Sequence, residues 1–264
     1  MIQQYYLSIR VIFSLLMLIF STKRLSAADK EYYFSLGLMR ASYQNSDINF
    51  RQNRYQRDVR YYQVHAKDDL RLHNFGGYHI TELQYDMRFG IDLLDKPHSF
   101  ELSLTHFTYQ ADISQSVRKR GLWDGEVVDQ VNSFGSDISQ WEHSNGLNLL
   151  NISWQYAMFE WQMKRIEISL RLRMGGGIGF VNSNNEVFDP SGEKLKYDSK
   201  KSLHVGAWNI EQGIGLYSKF WGHYLASLYL TAYYIDVYRI KLIDGEADQK
   251  IIAQSYIWAL GYQL

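Results

Sequence analysis

Arg165-Ile166-Glu167-Ile168-Ser169-Leu170-Arg171-Leu172-Arg173-Met174 alternates polar and large apolar residues without a break. Successive side chains of a β-strand point to opposite faces, so one face carries Arg165, Glu167, Ser169, Arg171 and Arg173 and the other carries only apolar groups. The same period recurs over 78–92, where Tyr85, Met87, Phe89 and Ile91 share one parity and Glu82, Gln84, Asp86 and Arg88 the other. It returns at the chain end, with Tyr256, Trp258, Leu260, Tyr262 and Leu264 opposed to Ser255, Ala259, Gly261 and Gln263. Such stretches are far longer than the roughly five or six residues of an ordinary globular strand.

Eight segments carry the pattern, at about 32–43, 78–92, 98–112, 139–158, 162–181, 202–219, 223–240 and 250–264. The connections after the second, fourth and sixth are short: 93–97, the Phe159–Trp161 corner and 220–222. Those after the first, third, fifth and seventh are long or polar: 44–77, 113–138, 182–201 and 241–249. Short turns alternating with long loops predict an all-β, eight-stranded antiparallel up-and-down transmembrane β-barrel, with the turns periplasmic and the loops extracellular. An even strand count lets the last strand close on the first and removes exposed edges. A soluble periplasmic sandwich is the competing architecture, since parity alone does not say which face meets water.

Composition narrows the class. The 264 residues hold 28 basic and 28 acidic side chains, which argues against a nucleic-acid partner held by a broad basic surface. There is no cysteine, which excludes disulfide scaffolds, thiolate zinc sites and cysteine nucleophiles. Aromatic residues make up 16% of the chain, yet mean hydropathy is −0.33, too polar for a bundle of membrane helices. Tyr32, Tyr33, Trp154, Tyr156, Trp161, Trp221, Tyr224, Trp258 and Tyr262 fall near strand ends, where interfacial girdles are expected.

Residues 1–27 read as a signal peptide, leaving 28–264 as a single outer-membrane barrel domain. Arg10 precedes the apolar run Val11–Phe20, and Leu25-Ser26-Ala27 offers a cleavage point. Removing them takes away Arg10, Lys23 and Arg24, leaving 25 basic and 28 acidic residues, net −3.

The polar face of the segments would enclose Glu82, Asp86, Arg88, Glu101, Glu142, Arg165, Glu167, Arg171, Arg173 and Glu211. An eight-stranded ring has room for little more than side chains, so these form either a paired plug or, near the outer rim, a carboxylate-rich site. In the fourth segment, apolar residues sit at Leu147 and Leu149 and then at Leu150, Ile152 and Trp154. A β-bulge near Leu149 would reconcile the two halves, sending Glu142, Ser144, Gly146 and Asn148, then Asn151, Ser153 and Gln155, into the lumen. His143 and Ser144 are adjacent, so a regular strand points them apart and weakens a serine hydrolase reading. The eight histidines show no HxH or HExxH spacing; no cofactor is identified and metal content stays open. Gly175-Gly176-Gly177-x-Gly179 lacks the strand–helix setting of a phosphate loop and instead suits bending and close packing. Loop 44–77 carries Arg51, Arg54, Arg57, Arg60, Lys67 and Arg71 beside Asp47, Asp58, Asp68 and Asp69, and reads equally as a solvated loop or a collar over lipopolysaccharide phosphates.

Two stretches carry a resemblance. Phe100-Glu101-Leu102-Ser103-Leu104-Thr105-His106, continuing to Tyr109-x-Ala111-Asp112, is one. Trp141-Glu142-x-x-x-Gly146-Leu147-Asn148-Leu149-Leu150, followed by the glycine-rich strand at 174–179, is the other. Both resemble a family of bacterial outer-membrane β-barrels that includes proteins called lipid A oxidases, although the chain has Val181-Asn182-Ser183 where members often show Pro-His. The resemblance implies an outer-membrane barrel and, as an activity, oxygen-dependent oxidation of the proximal glucosamine of lipid A. It would put that activity at Glu101, His106, Glu142 and Asn148, with roles unassigned. The final strand resembles the C-terminal signal by which such barrels engage the barrel assembly machinery, ending here in Leu264 rather than Phe. Two functions follow as expectations: an integral outer-membrane protein with a side-chain-filled lumen whose loops meet lipopolysaccharide or envelope partners, or a lipid A-modifying enzyme.

Overall fold

The computed structural model describes residues 30–68, 84–93, 96–143, 147–197 and 204–264. The signal segment 1–27, Glu82, Arg71 and Ser144 to Gly146 lie outside the described residues. In chain order the strands are β1 (Lys30–Tyr43), β2 (Ser46–Gln52), β3 (Arg57–Val64), β4 (Ala66–Lys67), β5 (Tyr85–Leu93), β6 (His98–Phe107), β7 (Gln110–Ala111), β8 (Ser116–Trp123) and β9 (Glu126–Ser133). They continue as β10 (Ile138–Glu142), β11 (Leu147–Met163), β12 (Ile166–Val181), β13 (Asn184–Phe188), β14 (Lys194–Lys196), β15 (His204–Phe220), β16 (Tyr224–Leu242) and β17 (Gly245–Gln263).

Eight of these pair antiparallel in a cycle, β1-β5-β6-β11-β12-β15-β16-β17, closed because β1 pairs along its other edge with β17. Leu38, for instance, stands opposite both Tyr85 and Trp258. The sides of the ring are inverted relative to a soluble core. Leu260 is 73% exposed, Ile152 69%, and Met174 and Ile210 56%, while Asp86, Arg173 and Gln155 are at 0%. Alternation therefore places apolar groups outside and charges inside, the arrangement of a barrel meant for an apolar surround.

The expected eight strands undercount the chain: among the described residues there are seventeen, eight in the ring and nine in its connections. Residues 44–68 and 113–138 are not open loops. β2, β3, β8 and β9 extend the ring's sheet beyond β17, and β14, β13, β10, β7 and β4 form a second, five-stranded sheet. Expected segment 139–158 joins parts of two elements, because β10 belongs to that second sheet and only β11 to the ring. The 241–249 connection is a tight turn at Ile243–Asp244. These extra strands form a cap at one end of the ring. Phe50, Tyr61, Phe134, Ile138 and Trp141 from the cap share one buried apolar cluster with Phe107, Leu147, Leu149 and Ile257 from the ring.

That cluster explains the parity change in the fourth segment. The register of β11 runs without a shift from Leu147 to Ala157, so there is no bulge at Leu149, and the irregularity lies between Ala157 and Phe159. Leu147 and Leu149 point inward on the same face as Asn151, Ser153 and Gln155. The upper lumen is apolar because the cap closes over it, and the lower lumen is polar. At the opposite end, β11 runs on to Met163 and turns at Lys164–Arg165, beyond the Phe159–Trp161 corner expected.

Candidate functional site

The lumen is occupied by one connected polar network. Its centre is Arg173 on β12, which donates through Nη1 to Glu101 Oε2 at 2.7 Å, through Nε to Glu211 Oε1 at 2.8 Å, and through Nη2 to the Ser103 and Ser153 hydroxyls. The Tyr33 hydroxyl donates to Glu101 at 2.7 Å; Asn151 and Ser153 donate to Glu211. Toward the cap, Arg88 pairs with Asp86, which also accepts from Thr105, and the guanidinium lies 4.6 Å over the Tyr229 ring. Toward the turns, Arg171 pairs with Asp92 at 3.0 Å and sits 3.6 Å over the Tyr217 ring. Charges removed from water at this depth must be paired and hydrogen-bonded, and here each guanidinium has both a carboxylate and an aromatic or hydroxyl neighbour.

Glycine makes the space for these groups. A Cβ on Gly90 would stand 2.1 Å from Tyr33 Cζ, so the Tyr33 ring lies where any side chain at 90 would be. A Cβ on Gly177 would fall 1.9 Å from the Leu150 carbonyl oxygen, which places the glycine-rich stretch of β12 in close packing against β11.

Asp86, Arg88, Arg171, Arg173 and Glu211 thus lie buried in the lumen with Glu101. Arg165 and Glu167 do not: both are exposed, because the strands overrun the expected corner and carry them to the turn end. Tyr33, expected in the interfacial girdle, is also a lumen residue, 1% exposed.

Glu101, His106, Glu142 and Asn148 do not converge. Glu101 belongs to the lumen network. His106 and Asn148 are cross-strand partners on β6 and β11 with the outward parity of Leu102 and Ile152, so they sit on the outer side of the ring rather than in the lumen, although His106 is covered there to 5% exposure. There His106 Nδ1 meets Asn148 Oδ1 at 2.8 Å, and the imidazole stacks on Tyr85 at 5.1 Å. Glu142 is in the cap, where its Oε1 accepts from Asn184. Period-two parity puts His106 and Glu101 on opposite faces of β6, and with no bulge at Leu149 the side chain of Asn148 faces outward.

The sequence reading did not single out the polar cluster inside the cap. His143, fully buried, contacts Ser183 Oγ through Nδ1 at 2.6 Å and Gln249 Oε1 through Nε2 at 3.1 Å. Because an amide oxygen only accepts, Nε2 carries the proton and Nδ1 accepts from the Ser183 hydroxyl. Burial pushes the His143 pKa down to about 4, and pushes the Tyr109 phenol up to about 12. Gln249 completes the cluster by donating to Tyr109 and Ser46 and accepting from Trp141. A serine and a histidine therefore touch, but the third partner is an amide rather than a carboxylate, and the buried cluster ties β10 to β17 through Trp141 and Gln249.

On the cap surface the described arginines of the first connection are matched by acids. Arg60 pairs with Asp47 at 2.6 Å, Arg54 with Asp244 at 3.1 Å and Arg51 with Asp58 at 3.9 Å. Arg57 is buried, bonded to Asp124 and lying 4.0 Å over the Trp123 ring. Among the described residues, no group of three or more His, Asp or Glu side chains is arranged to hold a metal.

No protein-family model matches the chain, and no curated protein matches its sequence. Among solved structures, it is similar to the attachment invasion locus protein Ail of Yersinia pestis, crystallised with the heparin analogue sucrose octasulfate, at 9% identity and TM-score 0.31 over 89% of this chain and 99% of that one. It is also similar to the outer membrane protein OprG of Pseudomonas aeruginosa, at 12% identity and TM-score 0.34 over 89% and 97%. The outer membrane protease OmpT of Escherichia coli matches at 9% identity and TM-score 0.32 over 92% and 99%. At such scores, what defines this chain is its own strand register: a closed eight-stranded ring, apolar outside and charged within, under a folded β-cap.

Proposed function

We propose that the protein is an integral outer-membrane barrel that is not a pore, anchored by its ring and presenting its β-cap to lipopolysaccharide or envelope partners outside the cell. The observation that carries this reading is the inversion of the ring, with Leu260, Ile152 and Ile210 exposed around a sealed Arg173–Glu101–Glu211 interior. Exposed apolar groups all round a closed cylinder are costly in water and favourable in hydrocarbon. The leader-like segment 1–27 and the aromatic final strand support export and assembly by the barrel machinery. The test is fractionation of cells expressing the full chain, with heat-modifiable gel migration. Recovery in the outer membrane as a heat-modifiable band supports the reading, and a freely soluble product overturns it.

A lipid A-modifying activity is the second reading, and one observation favours it: the stacked Tyr85–His106–Asn148 group on the outer wall, at the cap end of the apolar band. In a membrane-embedded ring that is the height of outer-leaflet headgroups. An active centre there would use His106 and Asn148 without Glu101 or Glu142. Mass spectrometry of lipid A from cells with and without the protein tests it; identical profiles exclude the activity.

A further inference from the structure

At the end of the ring opposite the cap, the β11–β12 and β15–β16 turns lie side by side, tied by a hydrogen bond from Trp221 N to Arg165 O at 2.9 Å. Between them opens a cleft of about 390 Å³, whose lining includes Lys164, Arg165, Glu167, Lys219 and Trp221. Lys219 is already engaged by Glu31 at 2.8 Å. Lys164 and Arg165 form no ion pair among the described residues, and counting those residues alone, the cleft lining carries one positive charge beyond what Glu167 and Glu31 balance. Trp221 is the second, independent feature. Its φ is 50°, in the left-handed region where glycine or asparagine is far cheaper, and its ring is 64% exposed. The indole meets the Phe220 and Tyr224 rings along part of its surface, with centroids 6.3 and 6.2 Å away, and leaves the rest open beside the cleft. Trp161 and Met163, also half-exposed, continue the apolar surface from the cleft onto the ring wall.

We infer that this cleft binds the phosphodiester headgroup of an anionic phospholipid of the inner leaflet, an inference that rests on the membrane-spanning reading above. Lys164 and Arg165 supply charge-assisted hydrogen bonds to the phosphate oxygens, with Arg165 suited to hold two of them. The Trp221 indole lies at the headgroup–acyl boundary, where aromatic rings with a polar edge are most stable, and this repays the left-handed backbone. One net positive charge matches one phosphodiester and disfavours a neutral zwitterionic headgroup.

The test is native mass spectrometry of the refolded full chain in mixed micelles containing equal phosphatidylglycerol and phosphatidylcholine. Wild type is expected to retain phosphatidylglycerol preferentially, and Lys164→Gln/Arg165→Gln to lose that preference by roughly tenfold, the loss of at least one charge-assisted hydrogen bond. Heat-modifiable migration of the variant shows that its ring is intact. Equal retention of the two lipids by wild type, an unchanged preference in the variant, or displacement of the lipid by inorganic phosphate alone would each overturn the proposal. A chain that fractionates with the outer membrane but shows no lipid preference refutes the cleft while leaving the barrel standing; a soluble chain refutes the barrel itself.

Discussion

Arg173 reaches past β11 to place its Nη1 2.7 Å from Glu101, a residue two strands away on the ring, while its Nε holds Glu211 on the adjacent strand. One guanidinium thus spans four consecutive strands. Arg173→Met strands two buried carboxylates, so the variant should lose about 3–5 kcal/mol of stability. Urea unfolding in micelles, followed by loss of heat-modifiable migration, measures this. Arg173→Lys, which keeps charge but not the fork, should lie between variant and wild type.

Tyr33 and Gly90 are coupled by shape. Gly90→Ala forces the Tyr33 ring away and breaks its bond to Glu101, whereas Tyr33→Ala removes the three atoms that stand nearest to that alanine Cβ. The two substitutions should therefore be non-additive, with Gly90→Ala costing at least about 1 kcal/mol less in the Tyr33→Ala background. A double-mutant cycle on the same unfolding assay gives the coupling, and strict additivity would refute the contact.

Ile152 distinguishes lipid from water as the surround. In water, replacing a residue that is 69% exposed by arginine would be nearly neutral. Facing the middle of a bilayer, Ile152→Arg should cost about 2–4 kcal/mol. Comparing folding into lipid vesicles with that of Ser42→Arg, at the cap end of β1, reads the difference.

His143 should make the cap acid-sensitive. Its folded pKa of about 4 lies below the ordinary value of 6.5, so as pH falls below 6.5 the unfolded chain takes up a proton that the folded chain refuses. The stabilisation is complete above pH 6.5 and declines by roughly 3 kcal/mol as pH approaches 4. Limited proteolysis of the cap across that window should show a steeper acid dependence in wild type than in His143→Gln, which cannot titrate.

The alternation of Ile166 to Met174 with Glu167 to Arg173 was sufficient to specify strands with one apolar and one charged face, because side-chain direction in a strand has a strict period of two. The same rule, applied to Arg88, Glu101, Arg173 and Glu211, was sufficient to bring them together once a ring was assumed. What parity could not carry was height and environment. Leu147 and Leu149 look like a slip in register because a folded cap lies over them, and that cap is assembled from strands such as β2, β8 and β13, far apart in the chain. His143 meets Ser183 and Gln249 through contacts 40 and 106 residues apart, which no local pattern announces. His106 and Asn148 bond to each other on the outer side of the ring and to neither Glu101 nor Glu142. The sequence by itself determined which face each side chain of a strand occupies. Only the tertiary structure decided where the turns fall, what closes the lumen and which charges meet, because those depend on register between strands that the chain joins at a distance.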